Sequence, residues 1–574
     1  MRHSRWVKLL QLLSSTSRLS TVCTITFNSR RPFTGFVASQ LPSRTVTMEN
    51  QSSLFTYTSG RFLFNEDVRL NERYVPFNVK ALEKAAETAI GREHGKVQNT
   101  QKMAEGGFNR VLVLRFEDGF EVVAKVPFHI AGPEYFATAS EAATLTFLRR
   151  QEFPVPEVYH YSAEKDNGIG TEFILVEKVQ GVSLRSRWEK LRDKHIIDLG
   201  LIIAQLEEKL FKLPFSAIGS FPLFKETSPE ANSAHQGEFC IGPIADYTFT
   251  HDRRAQLDIG RGPWTSPMQY LQDIGQKEIE WTKTFGKPME PRFIHNSLVG
   301  VQHPDQYMDL LRSYQRLAPH LLPKDDAHIL NQPTLRHPDL TPANIIISPK
   351  TGSLVSLIDW QHAVVQPMLL AAGIPTDRKP PELPKRLNEI PEAEKETAIN
   401  LYRRRLLFIT YYLATGAHNN VHIKGLHDPL FRFRQLLVDS AGRQWNGDLM
   451  SLKGAIIRTT AFWRFLPDVK DVPCPLQFSD GELRDFETLE ADWLDASLVR
   501  ENWRQRVCYM TEEGWVPIED YEEAKKKLEE LKQQIRSLCE GDEDVLNAFE
   551  RGWPFRDDAK CKRHCNIIHN NMKA

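Results

Sequence analysis

Three residues in one short stretch, His337, Asp339 and Asn344, form the pattern H-x-D-x4-N, and a second carboxylate, Asp359, closes the apolar run Leu354 to Ile358 that follows. Phosphoryl transfer asks little covalent work of a protein. It needs a divalent cation on the phosphates, a carboxylate to orient an attacking hydroxyl and accept its proton, and a cation against the phosphate charge. Asp339 offers the free carboxylate. Asn344 offers an amide oxygen and Asp359 a second carboxylate, and hard oxygen donors suit Mg²⁺. The bland reading is a self-capping loop, because Asp and Asn favour turns, with Asp359 as a helix cap. His337 belongs to the same catalytic set, where a hydrogen bond that supports the loop fits better than proton transfer.

These residues need elements to hold them. Asn344 to Ile347 and Leu354 to Ile358 read as two short strands around a turn at Lys350-Thr351-Gly352. Upstream, Arg110 to Phe116 and Phe120 to Val126 are β-prone runs joined by Glu117-Asp118-Gly119, and Asp-Gly is a hairpin signal. Lys125 lies in the second run, flanked by Val122, Val123 and Val126, so it is expected to be buried, and a buried ammonium needs a carboxylate. Glu141, sixteen residues on, sits in a helix expected over Ala137 to Arg150 and stopped by Pro154 and Pro156. Asn78 should cap a helix that ends at Gly91, and Thr171 to Lys178 reads as a buried strand. After Gly181 the pattern turns helical.

With these in place, His337-x-Asp339-x4-Asn344 and Ile358-Asp359-Trp360 resemble the catalytic and metal-binding loops of the aminoglycoside phosphotransferase/choline kinase branch of the protein-kinase-like fold. The resemblance implies an α+β protein of two lobes and a nucleotide, ATP, with Mg²⁺ as cofactor. It gives Gly106 and Gly107 the turn over the phosphates, Lys125 the phosphate contact with Glu141 as its partner, and Glu177 and Val179 the hinge that receives adenine. It keeps Asp339 as the base and Asn344 and Asp359 as the metal ligands. The chain departs from protein kinases, with no Gly after Asp359-Trp360 and Pro338 where they carry Arg. Gly242 to Phe249, Gly260 to Trp281 and Leu335 to Ile345 are similar to a fungal mitochondrial group of such proteins, over about residues 55–555.

The 574 residues carry 73 Lys and Arg against 74 Asp and Glu, a balance that argues against a nucleic-acid partner. No stretch approaches the ~20 apolar residues of a transmembrane segment. Seven scattered Cys do not suggest a disulfide framework. Residues 1–48 hold seven basic residues, no acid and fifteen Ser or Thr, leaving 66 basic against 74 acidic residues elsewhere. That is the signature of an organelle transit peptide, which the resemblance makes mitochondrial, with Met48 as an alternative start. The remaining expectations are a β-rich N-lobe over 49–179, a helical C-lobe over 180–470 and a helical extension over 471–574. Within the extension, 517–539 is expected to be a helix laid on the domain surface. Cys561, His564, Cys565 and His569 match zinc spacing poorly. The functional expectation is an ATP- and Mg²⁺-dependent transfer to a hydroxyl of a small molecule in mitochondria, with protein partners open. Two alternatives stand beside it: a kinase-shaped binding or assembly factor, and a nucleotidyl transferase.

Overall fold

The computed structural model describes residues 52–221, 240–251, 253–373, 380–384 and 386–558. The expected leader, Met48, part of 220–265, a Gly-, Pro- and Ser-rich stretch that reads as an insertion in the helical lobe, and the Cys/His tail lie outside them.

The sequence enters the fold through a two-residue strand, β1 (Arg61–Phe62), and a helix, Glu66–Arg73. The Asn78 side chain then accepts from the Ala81 N–H at 3.1 Å and starts the helix Val79–Ile90, which ends at Gly91. Five strands follow: β2 (Val97–Glu105), β3 (Asn109–Phe116), β4 (Glu121–Pro127), β5 (Val158–Ser162) and β6 (Phe173–Glu177). They form one antiparallel sheet in the order β2-β3-β4-β6-β5, with the helix Phe136–Arg150 between β4 and β5.

The period-two alternation of β4 decides the direction of Lys125. Val122, Ala124 and Val126 are buried in a core shared with Leu112, Leu114 and the helix Val79–Ile90. Val123 and Lys125 take the other face, where Val123 packs on the main core that includes Ala142 and Leu145. Lys125 is paired across the sheet with Val111 on β3 and Ile174 on β6.

Beyond the sheet the chain is mostly helical. The main core is built on Asp193–Phe211, Pro267–Phe285, Pro304–Leu317, Glu392–His418, Phe431–Ala441 and Met450–Ala461. Short strands β7 (Val182–Ser183), β8 (Pro333–Leu335), β9 (Ile345–Ile347), β10 (Leu354–Leu357) and β11 (Val365–Pro367) frame the loop that carries Asp339, as β10-β9-β7 and β11-β8. A five-stranded sheet with the helix Phe136–Arg150 on one face and Val79–Ile90 on the other, joined by a short linker to a larger helical lobe with a strand-framed loop, is the protein-kinase-like fold.

The C-terminal helices build a second core. Asp480–Arg506, Tyr521–Cys539 and Glu543–Gly552 bury Trp503, Leu531, Ile535, Phe549 and Trp553 against Phe293 and Ile294 of the helical lobe. The helix Tyr521–Cys539 thus lies on the protein by the apolar face that its 3-4 spacing predicts. The extension also touches the N-terminal segment: β12 (Trp515–Val516) pairs with β1, and Phe64 joins the second core.

Candidate active site

Lys125 Nζ donates to Glu141 Oε1 and Oε2 at 2.6 and 2.8 Å and to Asp359 Oδ1 at 2.9 Å. Burial alone would drive the proton off this ammonium, but the Asp359 and Glu141 carboxylates outweigh it and raise its pKa. Lys125 therefore stays charged. Burial works against the Asp359 charge too, and the Lys125 ammonium beside it more than offsets that, holding its carboxyl below the usual range. The Trp360 backbone N–H donates to Glu141, so this one carboxylate ties the sheet's Lys to the segment that carries Asp359.

Asp359 adopts a left-handed φ of 66°. For a residue with a Cβ that costs on the order of 1 kcal/mol, offset by its ion pair with Lys125. Its side chain, 41% exposed, stays open on one side of the cleft.

The loop Asp339–Asn344 is closed from inside. Asn344 Nδ2 donates to the Asp339 carbonyl at 2.9 Å and to Oδ2 at 3.0 Å, which turns the amide oxygen away from Asp339. Burial and the nearby Asp359 charge push the Asp339 carboxyl up to about 6 against the Asn344 hydrogen bond. His337 has no ring nitrogen left for proton transfer. Nε2 donates to the Ile358 carbonyl at 3.0 Å and Nδ1 accepts from the Asp339 N–H at 3.1 Å. Burial lowers its pKa to about 4, so it is neutral. Its ring packs 4.5 Å from Trp360. His337 thus joins the Asp339 loop to the segment that carries Asp359 through both ring nitrogens.

Gly106 and Gly107 form the turn between β2 and β3, closed by the Gly106 N–H on the Asn109 carbonyl at 2.8 Å. Glu177 ends β6, and Val179 lies in the linker to β7. Gly181 is required in that linker, since a Cβ there would meet Ile346 Cγ2 at 2.5 Å.

Two features escaped the sequence reading. Arg336, next to His337, donates from Nε to Glu207 at 2.6 Å and from Nη2 to the Tyr411 hydroxyl at 3.2 Å. Tyr411 in turn donates to Glu207. Glu207 lies on the buried face of the helix Asp193–Phe211, so the loop that carries Asp339 is bolted to two helices. A carboxylate in an apolar stripe was the available signal. The second feature is His362, which donates from Nδ1 to the Ala245 carbonyl at 3.2 Å and has a buried Nε2 without a hydrogen-bond partner.

Lys125, Glu141, Asp339 and Asp359 set three carboxylates against one ammonium. The surplus negative charge in a cleft attracts a divalent cation. Among the described residues no group of three or more His, Cys, Asp and Glu forms a preformed metal site. Mg²⁺ on a nucleotide needs only one or two protein oxygens beside the phosphates, and Asp359 and Asn344 fit that requirement.

The site and fold define a kinase-like class of protein. No family model matches the chain. It is 30% identical over 501 residues to a subtelomeric hrmA-associated cluster protein of Aspergillus fumigatus, covering 79% of this chain and 96% of that one. It is 22% identical to altered inheritance of mitochondria protein 9 of Clavispora lusitaniae, over 72% of this chain and 78% of the relative. The chain belongs to the family of these fungal proteins. Several relatives are named as mitochondrial. The solved aminoglycoside phosphotransferase APH(4)-Ia aligns over 64% of this chain and 100% of its own, at 14% identity and a TM-score of 0.32. That superposition is too loose to bear on the chemistry, which is read from this chain's own residues. Among the described residues no helix is long and apolar enough to cross a membrane.

Proposed function

We propose that this protein is an ATP- and Mg²⁺-dependent phosphotransferase acting on a hydroxyl of a small molecule. The observation that carries the reading is the ion-paired Lys125 between Glu141 and Asp359, with Asp339 held in a loop joined to the same strand. A merely structural loop has no need of a strained, half-open carboxylate beside a buried ammonium.

Lys125, kept charged and aimed by Glu141, meets the phosphates. Gly106 and Gly107 cover them, and the backbone at Glu177 and Val179 receives the base. Asp359 and Asn344 would hold Mg²⁺, which when bound neutralises phosphate charge. Asp339 orients the acceptor hydroxyl and takes its proton, and its raised pKa keeps it a usable base near neutral pH. His337 and Arg336 fix that loop. The proposed division of the chain is an N-lobe over 49–179, a C-lobe over 180–470 and an extension over 471–574, after a transit peptide over 1–48.

The test incubates the purified chain with Mg²⁺, a mitochondrial metabolite extract and ATP labelled at the γ or the α phosphate, beside Asp339→Asn. γ-Label in a small product, absent with the variant, is expected. Label from the α position alone would replace this reading with nucleotidyl transfer. No label with Mg-ATP still bound would leave a binding or assembly protein.

A further inference from the structure

The two residues after the glycine turn cross the cleft. Asn109 Nδ2 donates to Gln361 Oε1 at 2.6 Å, between positions 252 residues apart, and both residues are 8% exposed. Phe108 places its ring 5.2 Å from His362 and 5.6 Å from Tyr247. Gln361 and His362 follow directly on Asp359-Trp360, and Tyr247 belongs to the insertion of the helical lobe. His362 is itself tied to that insertion through Ala245. The turn that would cover a nucleotide's phosphates is thus fastened to the metal-ligand segment and to the insertion.

We propose that Phe108, Asn109, Gln361 and Tyr247 form a latch that gates nucleotide passage. This rests on the nucleotide reading above. Phosphates held by Lys125 would lie between the Gly106-Gly107 turn and Asp359, and the latch spans that gap. Its parts suit a gate better than a ligand contact. The Asn109 amide N–H and the Gln361 carbonyl satisfy each other in the closed form, so neither is left as a buried orphan. One amide pair and an aromatic edge are weak enough to open on thermal fluctuation. The sheet holds the backbone of both residues, Asn109 opposite Pro127 on β4 and the Phe108 carbonyl accepting from the Phe128 N–H at 2.7 Å, so the latch opens by rotation of the side chains and leaves β3 in place. Nucleotide enters when the latch opens, the latch closes over it, and release requires the same opening.

The test follows binding of the fluorescent nucleotide mant-ATP with Mg²⁺ to the full chain by stopped flow. The variants are Asn109→Ala, Gln361→Asn, the two together, and Phe108→Ala, each checked for an unchanged melting profile. A gate predicts that association and dissociation both accelerate, by about tenfold for loss of a hydrogen bond and its packing, with the affinity nearly unchanged. The double variant should be no faster than either single variant, because both remove one bond. Gln361→Asn keeps the amide and shortens its reach, so it guards against a folding artefact. Faster dissociation with unchanged association would make these residues ordinary ligand contacts and overturn the gate, as would unchanged rates. Binding by the latch variants but not by the parent chain would be a change of affinity and would overturn the gate as well. The nucleotide reading is judged separately by Asp359→Ala, which should abolish Mg²⁺-dependent affinity. If no variant and no parent protein binds mant-ATP, the nucleotide reading falls and the gate falls with it.

Discussion

Lys125 and Asp359 stand 234 positions apart, on a sheet strand of one lobe and in the framed loop of the other, yet their charged atoms lie 2.9 Å apart. The same ammonium is gripped by Glu141 from the neighbouring helix. One buried cation therefore sets the distance between the lobes at the point where the proposed chemistry takes place.

Removing that cation should separate stability from activity. Lys125→Met leaves Glu141 buried and uncompensated, and breaking a buried pair from one side costs about 3–5 kcal/mol. Thermal and urea denaturation should show that loss. Adding Glu141→Leu should recover most of it, while transfer of the γ-phosphate stays lost in both variants. Recovery of transfer in the double variant would remove Lys125 from the mechanism.

Asp339 should set the acid limb of turnover. Its carboxyl is pushed up to about 6 by burial and the Asp359 charge, so the base is protonated, and idle, below that pH. The quantity kcat/KM, which reports the free enzyme, should fall about tenfold per pH unit below about 6 once an acceptor has been found by labelling. Asp339→Asn should keep Mg-ATP affinity within about threefold and reduce turnover by about a hundredfold or more. A flat acid limb in the parent protein would deny Asp339 the role of base.

The bolt between Arg336 and Glu207 should act on the loop at a distance. Burial raises the energy of the Glu207 charge, but Arg336 and His422 outweigh it and hold its pKa down. Glu207 therefore stabilises the fold above the unfolded carboxylate range and loses that contribution as pH falls below it. Glu207→Gln should cost about 3 kcal/mol at pH 7 by stranding Arg336. Hydrogen exchange should then show faster opening of residues 336–344. An unchanged exchange rate there would detach the network from the loop.

His295 gives a stability slope of opposite origin. Burial first, then the Arg500 charge, lowers its pKa to about 3, against the Trp493 carbonyl it donates to. The unfolded chain binds the proton from about 6.5 downward and the folded chain does not. Stability therefore falls as pH drops from about 6.5 towards 3, by on the order of 1 kcal/mol per pH unit from this group. Urea midpoints at pH 7 and pH 5 should show a shallower drop in His295→Gln than in the parent. An equal drop would mean that His295 is not buried neutral.

Much of the site was legible because it is local. Asp339, Asn344 and Asp359 fall within twenty-five residues, and His337 braces that unit through backbone atoms of the same stretch. The apolar flanks of Lys125 gave its burial, while which face of β4 it takes follows from the strand's two-residue period once the packing of Val122, Ala124 and Val126 is known. The helix Val79–Ile90 was legible through its Asn78 cap and its stop at Gly91. Other parts carried no such pattern. The strand β2, with the sequence VQNTQKMAE, is a polar edge strand held by its pairing with β3, not by apolar alternation. The helix Asp480–Arg506 shows little apolar period, because only Phe486, Ala496 and Trp503 are buried in its 27 residues.

By itself, then, the sequence determined which groups carry charge, which strand and helix faces are apolar, and where the loop with Asp339 must turn. Tertiary structure alone decided that Lys125 meets Asp359, that Asn109 meets Gln361, that Arg336 meets Glu207, and that β12 closes on β1. The physical reason is range. Periodicity and capping act within a few residues and leave their mark in spacing. A contact between residues more than a hundred positions apart depends on how two already formed surfaces pack, and neither partner's own neighbourhood encodes it.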